Sequence, residues 1–195
     1  MPNWCENETY LYHRDPAMLL RARDAFVEGR LLDEFVPVPD SLKIVAGRVS
    51  DPDEQKTLEE QTELNRKTHG YGNWYDWCIA HWGTKWDVEG DAAAAAPGAS
   101  FGALGAAEPF FVFYELDATT YQLYLHFDSA WSPPIEAYRA MEKTHGFTIT
   151  SKYSEYGMGF RGTYADGIEN TEDIPESEYE EIEYHDHAIS APENN

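Results

Sequence analysis

Apolar positions change their spacing several times along the chain, and each change marks an element. From Glu6 to His13, Thr9, Leu11 and His13 alternate with Tyr10 and Tyr12, which predicts a first strand. Asp15 then offers an N-cap, with Pro16 at the first helical position. Leu19, Ala22 and Phe26 form an apolar stripe that ends at Gly29, so this stretch reads as an amphipathic helix. Residues 31–39 are a proline-punctuated connection whose leucines, phenylalanine and valines pin it to the core. Asp51 and Pro52 can start another helix through Leu58 and Leu64, but nearly every other position is polar, as in a solvated insertion. Trp74, Trp77, Cys78 and Trp82 recur three and four apart and Gly83 follows them, which predicts a helix with one aromatic face. Lys85 to Glu89 alternates like the start of a strand.

Residues 91–107 are rich in alanine and glycine and read as a connection. Phe110 to Asp117 and Tyr121 to Asp128 are aromatic-rich strand candidates separated by a hairpin turn. Ser132, Pro133 and Pro134 open a second amphipathic helix with Ile135, Tyr138 and Met141 on one side and Gly146 as its stop. Strands over 147–153 and 158–164 follow, joined by a turn at Gly157. The order strand, helix, strand, strand, helix, strand is that of a split βαβ sandwich. The predicted class is therefore α+β, ferredoxin-like, with one domain over 1–164, a polar helical insertion at about 40–70 and an acidic C-terminal segment over 165–195.

Three motifs stand apart from this periodicity. Pro2-Asn3-Trp4-Cys5 opens the chain, Asn73-Trp74 through Trp82-Gly83-Thr84-Lys85-Trp86 lies near its middle, and Phe127-Asp128-Ser129-Ala130-Trp131-Ser132-Pro133-Pro134 comes later. In this order they resemble the YubB-type, Api-like ferredoxin-fold family of plasmids and bacteriophages, over roughly Met1 to Tyr164. The resemblance implies a fold and a mobile-element setting, with no general activity attached.

Charge changes the picture most. Thirty-six Asp and Glu against 14 Lys and Arg give a formal net charge of −22 at pH 7. Such a surface repels nucleic acid and anionic membrane and attracts a basic partner; the plainer alternative is acidity that only keeps the protein soluble. No apolar run reaches membrane length, and Glu6, Glu8, Arg14 and Asp15 interrupt any signal-like start, so a cytoplasmic chain is expected. Beyond Arg161 the chain turns strongly acidic, with Tyr179, Ile182 and Tyr184 among the carboxylates. Such a segment either orders against a cationic partner or is a disordered terminus.

Catalytic chemistry is sparse. Gly98, Gly102 and Gly105 lack the Gly-Lys-Ser of a phosphate loop, and there is no Gly-x-Ser-x-Gly elbow. Cys78 and His81 are three apart on one helical face and Cys5 can join them, but a fourth zinc ligand is missing; Tyr184-His185-Asp186-His187 is a second loose cluster. Neither supports a metal, and no cofactor is expected. Cys78 paired with His81 or His126 as a nucleophile is disfavoured by the surrounding acidity, which raises a thiol pKa. Lys85, Asp87, Asp128 and Trp131 mix polar and aromatic groups and either line a small pocket or satisfy buried backbone.

The expected function is non-enzymatic. An acidic phage or plasmid protein would inhibit a host DNA-binding defence complex, a CRISPR effector or restriction enzyme, by imitating the charges of a duplex in its cationic groove. Glu54, Glu59, Glu60 and Glu63 of the insertion and Glu176, Glu178, Glu180, Glu181 and Glu183 of the tail would make the contact, with Tyr179 and Tyr184 as aromatic anchors. The alternatives are a small-molecule or metal-using protein built on the tryptophan motifs, and an accessory mobile-element protein whose acidity is incidental.

Overall fold

The computed structural model describes residues 3–90, 111–117, 120–175 and 178. Twelve-residue α1 (Pro16–Val27) follows strand β1 (Trp4–His13), and its start is the predicted one, with the Asp15 carboxylate accepting from the Ala17 N–H at 2.9 Å. Leu19, Ala22, Ala25 and Phe26 are its buried stripe. A short helix α2 (Leu31–Phe35) then occupies part of the segment expected to be only a connection, and Leu31, Leu32, Phe35 and Val38 are buried as anticipated. Helix α3 (Pro52–His69) is the polar insertion, capped by Asp51 and closed by Gly70 in the left-handed region. Neither of its leucines is fully buried. Leu64 is exposed, and the buried position is Asn65, whose amide donates to the carbonyls of Ser41 at 2.7 Å and Gly72 at 3.1 Å.

Helix α4 (Trp74–Trp82) carries the tryptophan motif, with Asn73 as N-cap and Gly83 as its left-handed C-cap; Trp77, Cys78 and Trp82 are buried. The strand expected at Lys85 to Glu89 is absent. There, side chains take over the role of a ladder: Thr84 donates to the Ala130 carbonyl at 2.9 Å, and Asp87 turns inward to bind backbone N–H groups, which pulls the segment into bends. The Ala/Gly connection at 91–107 lies outside the described residues.

Strands β2 (Phe111–Asp117) and β3 (Thr120–Ala130) pair as the predicted hairpin, and α5 (Ile135–His145) and β4 (Thr148–Glu155) follow. Ser132 does not cap α5; Pro134 holds that position, and the Ser132 hydroxyl donates to the Gly83 carbonyl instead. Strand β5 (Phe160–Ala165) pairs with β4, and β6 (Ile168–Asp173) pairs with β5. The sheet therefore continues beyond the expected domain limit at Tyr164 into the acidic segment.

All neighbouring strands are antiparallel, in the order β2-β3-β1-β4-β5-β6. The first four, with α1 after β1 and α5 after β3, form the ferredoxin-like split βαβ sandwich; β5 and β6 extend it as a hairpin. Because side chains alternate across a strand, the sheet has two unlike faces. Cys5, Asn7, Thr9 and Leu11 of β1, Leu123, Leu125 and Phe127 of β3, and Ile149, Ser151 and Tyr153 of β4 are buried together with the residues of the helices. Thr9 joins this core to α5 through the hydroxyl of buried Tyr138 at 2.9 Å. The opposite face carries Glu6, Glu8, Tyr10 and Tyr12 of β1 beside Asp128, His126 and Tyr124 of β3. No described helix is long and apolar enough to cross a membrane.

Candidate functional site

The four residues weighed as a pocket separate into two places. Lys85 and Asp87 line a cleft of about 480 Å³ together with Trp74, Cys78, Trp82 and Trp86. Asp128 lies instead on the open sheet face, opposite Glu6, and Trp131 follows the end of β3. Within the cleft, Asp87 has a structural task. Its carboxylate accepts from the N–H groups of Leu32, Asp33 and Val88, each at 2.8 Å, and so caps the start of α2. Burial pushes its pKa up to about 6 against the pull of those donors. Lys85 has no comparable tie to the backbone: its ammonium lies 4.4 Å from the ring centroid of Trp86 and 5.1 Å from that of Tyr75.

The cysteines are placed against nucleophilic chemistry. Both are buried and free, and burial pushes each thiol up to about 12, so neither is a thiolate at neutral pH. His81 is stacked on Trp77, with ring centroids 4.2 Å apart, and its Nδ1 faces the Trp77 carbonyl at 3.0 Å; His126 meets Glu6 at 2.8 Å. Among the described residues no three His, Cys, Asp or Glu side chains gather in a group able to hold a metal ion.

The acidic residues proposed for partner contact are partly visible. Glu54, Glu59, Glu60 and Glu63 are all exposed on α3. Glu59 accepts from Gln55 at 2.8 Å, and Glu63 pairs with Lys67 at 3.5 Å and Arg66 at 3.9 Å, so part of the charge on this helix is compensated along its own surface. Glu178 is drawn to Arg161 at 2.6 Å, which also binds Glu172 at 2.7 Å. Glu176, Tyr179, Glu180, Glu181, Glu183 and Tyr184 lie outside the described residues.

Sequence reasoning missed a second charged surface, the open sheet face. A groove of about 510 Å³ runs there between Glu6 and Glu8 of β1, Lys152 of β4, Arg161 and Thr163 of β5 and Glu172 of β6. The alternation from Trp4 through Glu6 and Glu8 to Tyr10 already places these side chains on one face. Their register against Asp128, Lys152 and Arg161 required the fold.

Trp131 has a feature no periodicity reveals. Its φ is +74°, in the left-handed region that costs a residue with a side chain about 1–2 kcal/mol. Trp131→Gly is therefore expected to be more stable than Trp131→Ala by about 1 kcal/mol, since both lose the ring and only alanine keeps the strain. Urea denaturation of the two variants checks this; equal midpoints and slopes would mean that the backbone relaxes once the ring is gone.

Comparison with known proteins agrees with this architecture over part of the chain. Residues 112–191 match the family described as the ferredoxin-like domain in Api92-like protein. No curated protein matches the chain. The crystal structure of protein Api92 from Yersinia pseudotuberculosis is similar at a TM-score of 0.39 and 10% sequence identity, covering 90% of this chain and 99% of that one. The matched span includes the Phe127-Asp128 motif and leaves out the tryptophans at 4 and 74–86, so the C-terminal part of this chain is what is similar to the ferredoxin-like domain of Api92-like proteins.

Proposed function

We propose that this chain is a non-enzymatic acidic protein of a mobile element that occupies the cationic groove of a host nucleic-acid-binding defence complex, a CRISPR effector or restriction enzyme, in place of DNA. The observation that carries the reading is a formal charge of −22, with Glu54, Glu59, Glu60 and Glu63 standing exposed along one defined helix, α3. Charges fixed on a rigid scaffold present a constant spacing to a partner and lose little conformational freedom on binding. The buried, protonated cysteines favour binding over thiol catalysis.

The test is recovery of the tagged chain from a bacterial host carrying its own defence systems. The expected result is co-purification of a nucleic-acid-binding complex that is lost at high salt and displaced by duplex DNA, because both compete for the same cationic groove. A variant with Glu54, Glu59, Glu60, Glu63, Glu176, Glu178, Glu180, Glu181 and Glu183 changed to glutamine should bind that complex at least about tenfold more weakly. Unchanged affinity in this variant, or recovery of the chain alone at both salt concentrations, would overturn the proposal.

A further inference from the structure

Three of the six tryptophans are exposed; Trp4 and Trp86 are in ring contact where β1 begins, and the backbone of Trp131 joins that corner where β3 ends. Trp4 is 51%, Trp86 38% and Trp131 44% accessible. The rings of Trp4 and Trp86 lie 6.0 Å apart at 37°; Trp4 stands opposite Ala130 in the strand register, and the next N–H, that of Trp131, donates to the Asn3 carbonyl at 3.0 Å. Their neighbours in the same motifs have internal tasks: Trp82 donates to the Val36 carbonyl at 2.8 Å, Thr84 ties to Ala130, and Asp87 caps α2. Trp4, Trp86 and Trp131 are left with large apolar rings facing solvent, and Trp131 is held there in a strained backbone.

Beside the rings stands negative charge. Glu6 is two residues from Trp4 on the same face of β1, and directly opposite it on β3 is Asp128. Like charges across a strand pair repel, and His126 stands at 2.8 Å from Glu6. Partial burial and then the Glu6 charge raise the Asp128 pKa, against the pull of His126. The ring of Trp86 already accepts a cation on its face, the ammonium of Lys85.

Exposed indole faces next to paired carboxylates fit one side chain better than any other. A guanidinium is planar, weakly hydrated and able both to stack on tryptophan and to donate two parallel hydrogen bonds to a carboxylate; an ammonium is a compact, strongly hydrated charge that does neither as well. We infer that the Trp4–Trp86–Trp131 corner, with Glu6 and Asp128, is an anchor for arginine side chains of a cationic partner segment. The inference rests on the proposed cationic partner and adds to it a fixed docking point and a preference for arginine over lysine.

The experiment titrates the full chain with a peptide of alternating arginine and glycine and with the same peptide carrying lysine at every arginine, followed by calorimetry and tryptophan fluorescence. The arginine peptide should bind about tenfold more tightly and change the tryptophan emission. A Glu6→Gln/Asp128→Asn variant, which removes repulsion and so keeps the fold, and a Trp4→Leu variant should each reduce that preference at least about threefold, with circular dichroism unchanged. Equal affinity for the two peptides would overturn the anchor while leaving the charge-based reading of function in place. An arginine preference that survives both variants also overturns it, as does binding of neither peptide, while the charge-based reading stands or falls on the co-purification experiment.

Discussion

Asp87→Ala is expected to destabilise the fold by about 3 kcal/mol, because three backbone N–H groups lose their acceptor at roughly 1 kcal/mol each. Two of these belong to Leu32 and Asp33 at the start of α2, so the loss also loosens the helix that buries Leu31, Leu32 and Phe35. Chemical denaturation measures it, and a loss below about 1 kcal/mol would mean that other acceptors replace the carboxylate. The pH dependence has a definite sign. The folded-state pKa of Asp87, about 6, lies above its ordinary 3.8, so the native state binds this proton more tightly than the unfolded chain. The contribution of Asp87 to stability is therefore largest below about 4, declines as pH rises toward 6, and is constant above it. Asp87→Ala should lose that decline, which appears as a stability difference between the two proteins that narrows between pH 4 and 6.

Gly83→Ala should cost about 2–3 kcal/mol. Gly83 ends α4 at φ +86°, and a Cβ there would come within 3.1 Å of the Pro133 carbonyl oxygen and 3.2 Å of the Ile135 nitrogen, backbone atoms that cannot swing away. Gly70 provides the control. It closes α3 at φ +83° with nothing within 4 Å of where a methyl group would stand, so Gly70→Ala carries only the conformational cost of about 1 kcal/mol. Equal losses at the two positions in denaturant titrations would show that the close approach of α4 to the start of α5 contributes nothing.

These two residues also show how far the chain could be read in advance. The Asp15-Pro16 cap, the stripe of Leu19, Ala22 and Phe26 and the helical spacing of Trp74, Trp77, Cys78 and Trp82 are local signals, and local hydrogen bonds and packing honour them. Gly83 was legible as a helix stop; its second task, admitting the start of α5, depends on a partner about fifty residues away in the chain. Lys85 to Glu89 alternates as a strand does, yet Asp87 commits its carboxylate to the backbone of α2, and no pattern within the segment announces that partner. β6 escaped for the opposite reason: as the outermost strand it is exposed on both faces, so it carries no alternation. The candidate site follows the same division. The acidity of α3 could be read directly, whereas the Trp4, Trp86 and Trp131 corner is assembled from three distant motifs by strand register and a strained turn.

β6 has a consequence for the protein in concentrated solution. Among the described residues it is an outermost strand, and such a strand offers its hydrogen-bonding edge to any other, including that of an identical molecule. Here the strand reads Ile168-Glu169-Asn170-Thr171-Glu172-Asp173, exposed at every position, and three of its six side chains are acidic. Two copies aligning edge to edge would bring those carboxylates together, so the negative charge acts as a gatekeeper against self-templating. Acid that neutralises it removes the barrier and leaves the sheet open to growth by fibril-like stacking.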